Sequence, residues 1–530
     1  MSWSSDTATR HSTATAEASN LAMEGIRRAL AVSILSRGWA AILALLAVPL
    51  YLRFLGVEAY GVGGLFTSFS ILVGFLDLGL GATLTRELAR LSGSQDAMPH
   101  GRDVTRTFEL TYALVALLIG LIVIACSTPV AQHWIQVQAL DRAEVAQALA
   151  LAGVALACQW PTNLYNSGLT GLHRQTQLGV ATMVFATLRV LFTLVAVWWK
   201  PTLASFFWAQ IVSALLQTLG LRVLLWRALA VKGHRPTIRF AIMQSSLRFA
   251  GGMTGITITS IILTQTDKVI LSKALSLADF GVYVVAGTLA TGLYMLISPL
   301  FSVMYPRFSS LAHEGDTAKV INLYHTSSQM MAVLVIPVAA VVAGFAQEVL
   351  YVWTGDAGLS RQGAWILAFL IVGNACNGIM NMPYALQLAS GWTKLAFWVN
   401  VGAIVVLVPA IWWAATYFGA VGGAAVWALL NLGYVVLTPH IMHRRLLPGE
   451  KIAWYGADVL LPVTACAAVL LVLHQISLEG ASRASMVLVL LIYWMLAAMA
   501  TVLALPRLRE RAIPWLRAKF GQWRTRKLLG

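Results

Sequence analysis

The sequence predicts an all-α integral membrane protein of about fourteen transmembrane helices: two six-helix lobes around a central cavity, plus two C-terminal helices. Three observations predict it. Of 530 residues, 58% are hydrophobic and only 11% charged, with a mean hydropathy of +0.75; a soluble domain carries about 25% charged residues. Apolar runs of about 20 residues, long enough to cross a bilayer, recur along the whole chain. Finally, Leu55-Gly-Val-Glu-Ala-Tyr-Gly-Val62 matches Leu275-Ser-Leu-Ala-Asp-Phe-Gly-Val282, an internal repeat at an offset of about 220 residues.

In order, the predicted spans of the first half are 31–52, 60–83, 108–130, 146–168, 178–199 and 203–225. Those of the second half are 249–271, 281–303, 326–346, 362–384, 395–417 and 420–442, and 455–473 and 484–505 close the series. The repeat offset also pairs Arg53 with Lys273, Gly171 with Gly391 and Arg174 with Lys394. Six helices per half, an even number, leave both halves in the same orientation, so the repeat is parallel with an axis near the membrane normal. The expected organisation is therefore a disordered cytoplasmic tail (1–28), a first lobe (29–227), a basic cytoplasmic linker (228–247) and a second lobe (248–443). Two extra helices (444–505) and a basic amphipathic cytoplasmic tail (506–530) follow. In that tail Ile513, Leu516, Phe520 and Trp523 recur at helical spacing among Arg517, Lys519, Arg524, Arg526 and Lys527, the pattern of a helix lying on an anionic leaflet.

The net charge of +16 would point to nucleic acid in a soluble chain. Here the cations sit in short loops beside spans, where anionic lipid headgroups attract them, and no nucleic-acid-reading motif is present. Roughly 28 of the 37 Lys and Arg fall on the side shared by both termini and about 6 on the other, which makes the termini cytoplasmic. Cys126, Cys158, Cys376 and Cys466 all lie in apolar runs with neither zinc nor disulfide spacing. No phosphate-binding loop and no metal-ligand spacing of histidines appears, so neither cofactor nor metal is expected.

Ionisable residues inside spans are costly to bury and face a cavity or a partner. Arg37, Asp77, Arg189, Asp267 and Lys268 are the clearest cases. Asp77 shares a helical stripe with Thr67, Ser70, Gly74, Gly81 and Thr85, and Asp267 or Lys268 follows Thr254, Thr257, Ser260 and Thr264. The structural alternative for Arg37 and Asp77 is an ion pair or a bond to a neighbouring helix; for Asp267 and Lys268 it is a place near the interface. Arg86 and Arg248 read as a cytoplasmic rim. A neutral stripe, Asn374, Asn377 and Asn381, and the group Gln159, Trp160, Asn163 and Asn166 offer amides and aromatic faces suited to sugar hydroxyls and rings; interhelical hydrogen bonding is the competing account.

The stretch Phe54-Leu-Gly-Val-Glu-Ala-Tyr-Gly-Val-Gly-Gly-Leu65, with Leu76-Asp-Leu-Gly-Leu-Gly81 and Thr85-Arg-Glu-Leu-Ala89, resembles the amino-terminal signature of polysaccharide transporters. These are the O-antigen and exopolysaccharide flippases of the multidrug/oligosaccharidyl-lipid/polysaccharide exporter superfamily. Thr266-Asp-Lys-Val-Ile-Leu-Ser272, Ala278-Asp-Phe-Gly-Val-Tyr283 and Gly171-Leu-His-Arg174 are similar to its later patterns. The resemblance implies a cationic cavity, alternating access, and a cargo of oligosaccharide on undecaprenyl diphosphate. It puts Asp77 and Arg86 in the family's second-helix pattern and Asp267 and Lys268 in its seventh. The expected partners are this lipid-linked glycan, membrane lipids, and a glycan polymerase or other biosynthesis proteins. The expected site is the cytoplasmic (inner) membrane of a bacterium. Competing readings are a lipid II flippase, a cation-coupled multidrug exporter, and a membrane glycan polymerase or ligase, an enzyme that would need a large periplasmic loop.

Overall fold

The computed structural model describes residues 5–77, 79–92, 98–230, 234–238, 254–476 and 480–510, with the side chains of 5–30 and 254–257 left aside. Arg248 and tail residues 511–530, named above, lie outside the described residues. The described elements are helices, and the one β contact is an isolated bridge between Gln136 and Ser276. The first seven are α1 (Ser5–Gly74), α2 (Leu80–Leu91), α3 (Met98–Pro129), α4 (Arg142–Gln159), α5 (Thr162–Gly171), α6 (Gln175–Trp199) and α7 (Leu203–Ala228). Then come α8 (Thr254–Ala274), α9 (Leu277–Thr291), α10 (Tyr294–Glu314), α11 (Thr317–Gly344), α12 (Ala346–Thr354), α13 (Ala357–Ala389) and α14 (Thr393–Leu446). A helix over Lys451–Leu473 (α15), widened into a π-turn at Trp454–Leu460, and α16 (Arg483–Ala504) complete the set. The segment 1–28, expected as a disordered tail, is described from Ser5 onward as the start of α1.

Eleven helices among the described residues are long and apolar enough to cross a membrane. Two are double length. The stretch Ala31–Asp77 holds 47 residues and Thr393–Leu446 holds 54; at 1.5 Å per residue each exceeds twice the ~30 Å hydrocarbon thickness. Each is bent by a glycine at positive φ: Gly56 (φ 82, ψ 168) and Gly419 (φ 60, ψ −145). Only glycine takes those angles without strain, so the turn between two apolar runs is written into that residue.

The outer faces are apolar. On α3, Leu114, Leu117, Leu118, Leu121 and Ile122 recur at helical spacing and are each more than half exposed. Such a bare stripe has no place in water and fits lipid.

The chain divides into two compact units that do not follow the sequence halves: residues 1–47, 70–128 and 143–254 form one, and 48–69, 129–142 and 255–530 the other. In the first unit α2 and α7 pack on α5, and α6 on α7. Gly120 and Gly153 bring α3 and α4 close: a Cβ on either would stand 3.0 Å from Ala157 or Val123, the small-residue contact typical of membrane helices. The predicted span 60–83 breaks after Gly74 into a 3₁₀ turn, Phe75–Asp77, followed by Gly79 in the left-handed region (φ 82). The predicted span 146–168 breaks at Trp160–Pro161, because proline offers no N–H to continue α4.

In the second unit α13 is the hub, packed against α9, α10, α11, α12 and α14. The two repeat motifs meet inside this unit. A Cβ on Gly61 would lie 2.8 Å from the Leu277 carbonyl, one on Gly281 would collide with the Val57 carbonyl, and one on Gly64 would meet Val284 at 2.5 Å. Each contact joins a residue of 57–64 to one near its counterpart about 220 positions later, so the segments run side by side in parallel register. The Tyr60 and Thr288 hydroxyls, 3.3 Å apart, extend the same line. The pair α15 and α16 docks on α11 in this unit.

Candidate functional site

In the first unit the break after Gly74 exists to hold Asp77. Its Oδ2 accepts the Gly81 N–H at 3.1 Å, at the start of α2, and its Oδ1 accepts the Tyr112 hydroxyl from α3. A carboxylate at a helix N-terminus satisfies an otherwise unpaired donor and the positive end of the dipole. The Tyr112 ring stacks on Trp160 at 4.6 Å, and the Trp160 indole donates to the Val73 carbonyl at 3.0 Å. Gly81 is needed here, since a Cβ would meet Ser167 Oγ at 2.5 Å, and Thr85 donates to the Ser167 carbonyl at 2.9 Å. Asp77 thus ties α2, α3 and the α4–α5 break together.

Arg37 is not its partner. On α1, Ser36 is buried beside Gly179, and the Trp39 indole donates to Thr187 of α6 at 3.0 Å. Arg37 points to another face, is exposed, and makes no hydrogen bond or ion pair among the described residues. Arg189 is engaged: its Nε donates to Gln210 Oε1 at 2.6 Å, and Gln210 donates on to Thr193 at 3.2 Å. Arg86 is nearly half exposed and paired with Glu87 at 3.1 Å.

Gln159, Asn163, Asn166 and Thr170 fall at helical spacing across the α4–α5 break, and all four are half-buried. The other faces of α5 are used by Thr162 against Thr218, Tyr165 against Glu109 and Gly168 against Leu225. The side-chain amides of Gln159, Asn163 and Asn166 have no partner among the described residues.

Glu109 is a site that sequence reasoning missed. It is 8% exposed and accepts from Arg106 (3.0 Å), Arg222 (2.9 Å), Trp226 (2.7 Å) and Tyr165 (3.1 Å). Four donors on one carboxylate make a buried junction of α3, α5 and α7. Arg106 three residues before it was the only local signal. Nearby, Asp103 holds the linker, accepting from the Thr237 N–H and bonding the His234 ring, both at 2.8 Å.

In the second unit Asp267 is buried and accepts the Tyr283 hydroxyl at 2.6 Å; its Oδ1 has no partner among the described residues. Lys268 reaches Gln265 of its own helix at 3.4 Å. The asparagine stripe of α13 is tied to its neighbours. Asn374 accepts from Trp427 at 2.9 Å, and Asn377 accepts from Tyr294 at 3.1 Å and donates to Asn431 at 3.0 Å. Asn381 donates to the Asn377 carbonyl at 2.9 Å.

A second missed cluster joins α11 to α15. The His325 ring lies 2.5 Å from Asp458 and 3.0 Å from Glu450, and Gln329 donates to the other Asp458 oxygen at 2.8 Å. Asp458 sits in the π-turn, a widened backbone that lets its carboxylate reach inward. Among the described residues, no group of His, Cys, Asp and Glu is arranged to hold a metal ion.

With this geometry in view, similarity to known proteins is informative. The family model described as polysaccharide biosynthesis protein matches residues 50–359, more than half the chain. A Shigella flexneri protein that carries an O-antigen transporter assignment is 18% identical over 396 residues, covering 73% of this chain and 91% of that one. The succinoglycan biosynthesis transport protein ExoT of Rhizobium meliloti is 25% identical over 231 residues, 42% of each chain. The solved structure of the lipid II flippase MurJ, in an inward closed conformation, superposes with a TM-score of 0.67 at 11% identity, covering 88% of this chain and 97% of that one. That likeness shows the fold. The chain belongs to the polysaccharide biosynthesis protein family.

Proposed function

We propose that this protein moves an oligosaccharide linked to undecaprenyl diphosphate from the cytoplasmic to the outer leaflet of the inner membrane, by alternating access. Arg37 carries the reading. An exposed guanidinium inside an apolar span, with no protein partner among the described residues, is tolerated where water or an anionic ligand meets it. A diphosphate supplies that ligand through two charge-assisted hydrogen bonds to the planar fork. The open amides of Gln159, Asn163 and Asn166 support the second half of the cargo: in hydrocarbon each unpaired polar group costs several kcal/mol, so this face belongs to a wet path that sugar hydroxyls can follow. Asp77, Asp267 and Lys268 border this path in the same proposal, and Arg86 and Arg248 form its cytoplasmic rim.

The architecture proposed with it has fourteen spans. The bends at Gly56 and Gly419 divide two double-length helices, and α8 adds a further crossing. Both termini are then cytoplasmic, as the Lys and Arg asymmetry requires. The parallel contact of 57–64 with 277–284 supports a two-fold relation between two six-helix lobes about the membrane normal. The protein is a carrier without catalysis or cofactor, and a glycan polymerase receives its product.

The test is reconstitution of the full chain into vesicles bearing undecaprenyl-diphosphate oligosaccharide in one leaflet, with lectin access to the other as readout. Transfer is expected. Transfer of lipid II instead, or of an organic cation driven by an ion gradient, would replace this reading with one of its two relatives.

A further inference from the structure

Glu58 lies two residues beyond the Gly56 bend, 6% exposed, and among the described residues no cation holds it. Its carboxylate is instead received by three successive backbone N–H groups of the loop after α3: Gln138 at 2.7 Å, Ala139 at 2.8 Å and Leu140 at 3.2 Å. A loop whose amides converge on one carboxylate has its conformation set by that charge. The same loop is fastened at its other end. The Gln136 carbonyl accepts the Leu277 N–H at 2.8 Å, and the Gln136 side chain donates to the Lys273 carbonyl at 3.1 Å. Trp134 donates to Ser272 at 3.0 Å, and its ring lies under the Lys273 ammonium at 4.8 Å. Residues 134–140 therefore bridge the 56–58 bend and the 272–277 turn, beside the parallel contact of Gly61 and Gly64 with the helix that begins at Leu277. This is why 48–69 and 129–142 group with 255–530 and not with the rest of the first half.

We propose that residues 134–140 are a strap that holds the two repeat motifs together, and that Glu58 is its catch, a positioning residue for the transport cycle. The inference rests on the alternating-access reading. With the strap fastened, the ends of the two halves at Gly56 and Ser276 are closed against each other; with it released, Val57 and Gly281 separate and that side opens. The charge asymmetry assigns that side to the outer face.

Two arms test it, both on the full chain in lipid with its four native cysteines replaced by alanine. In the first, Gln136→Cys with Ser276→Cys is oxidised to a disulfide across the bridge. On oxidation, transport should fall at least tenfold below that of the same double variant kept reduced, and return on reduction. A fully cross-linked protein that still transports would overturn the proposal. In the second arm, Glu58→Ala should raise amide exchange at 138–140 and the labelling of Val57→Cys by a membrane-impermeant thiol reagent. Glu58→Gln, which offers one acceptor oxygen instead of two, serves where alanine prevents folding and should give a smaller rise. Faster exchange without increased labelling would also overturn the proposal. The labelling arm needs no cargo, so a wrong substrate silences the first arm and leaves the second readable.

Discussion

Two amide-bearing stretches, each with amides three and four residues apart, are engaged differently. On α13, Asn374 and Asn377 face α14 and α10, and Trp427, Asn431 and Tyr294 take up their side-chain groups. Across the α4–α5 break, the side-chain amides of Gln159, Asn163 and Asn166 have no partner among the described residues, while the other faces of α5 pack on Thr218, Glu109 and Leu225. The difference lies in what stands opposite. An amide in a membrane span either joins helices or lines a wet surface, and only the partner helix decides which.

The largest expected effect sharpens the wet side of that comparison. Arg37→Ala should lower transport at least tenfold while abundance and thermal stability hold, since a lost charge-assisted bond is worth about 1.5–3 kcal/mol. Arg37→Lys should restore part of it, lacking the bidentate fork. Full surface glycan in the alanine variant would remove Arg37 from the path.

Next comes the amide face itself. Asn163→Ala combined with Asn166→Ala should reduce transport by about five- to thirtyfold, the loss expected for one or two hydrogen bonds of about 1 kcal/mol, with an unchanged melting temperature. A drop in melting temperature with normal transport would move this face into the structural class.

The smallest effect belongs to the engaged helix. A double-mutant cycle of Asn377→Ala and Asn431→Ala should show a coupling of about 1 kcal/mol in stability, within the range measured for interhelical hydrogen bonds in membranes. Transport per folded molecule should stay near wild type. Zero coupling would mean the amides of α13 are as available as those of α5, and the comparison would fail.

Much of the fold was legible because lipid imposes one rule: long apolar runs become helices. The bends at Gly56 and Gly419 fall in the gaps between predicted spans, 31–52 and 60–83 and then 395–417 and 420–442; what was not read is that a single glycine makes each turn while helix continues on both sides of it. The match of Leu55–Val62 with Leu275–Val282 was legible, and the close contacts at Gly61 and Gly281 give the shared glycine a reason. Asp77 and Asp267 were found as charges inside apolar spans, but their tyrosine partners, Tyr112 and Tyr283, lie in other helices with no sequence signal. Glu58 was read only as part of a repeat, because its partners are backbone N–H groups 80 residues away, and backbone donors carry no residue type. His325, Asp458 and Glu450 escaped for a related reason: they are scattered over 133 residues at the ends of spans, where single charged residues are common.

The central claim is that the cargo meets the open polar face of the first unit and not the engaged asparagines of the second. A photoreactive amino acid placed in turn at Asn163 and at Asn377 tests it directly. In membranes that synthesise the lipid-linked glycan, illumination should yield a glycan-bearing adduct at 163 and none at 377. Adducts at 377 with none at 163 would contradict the account.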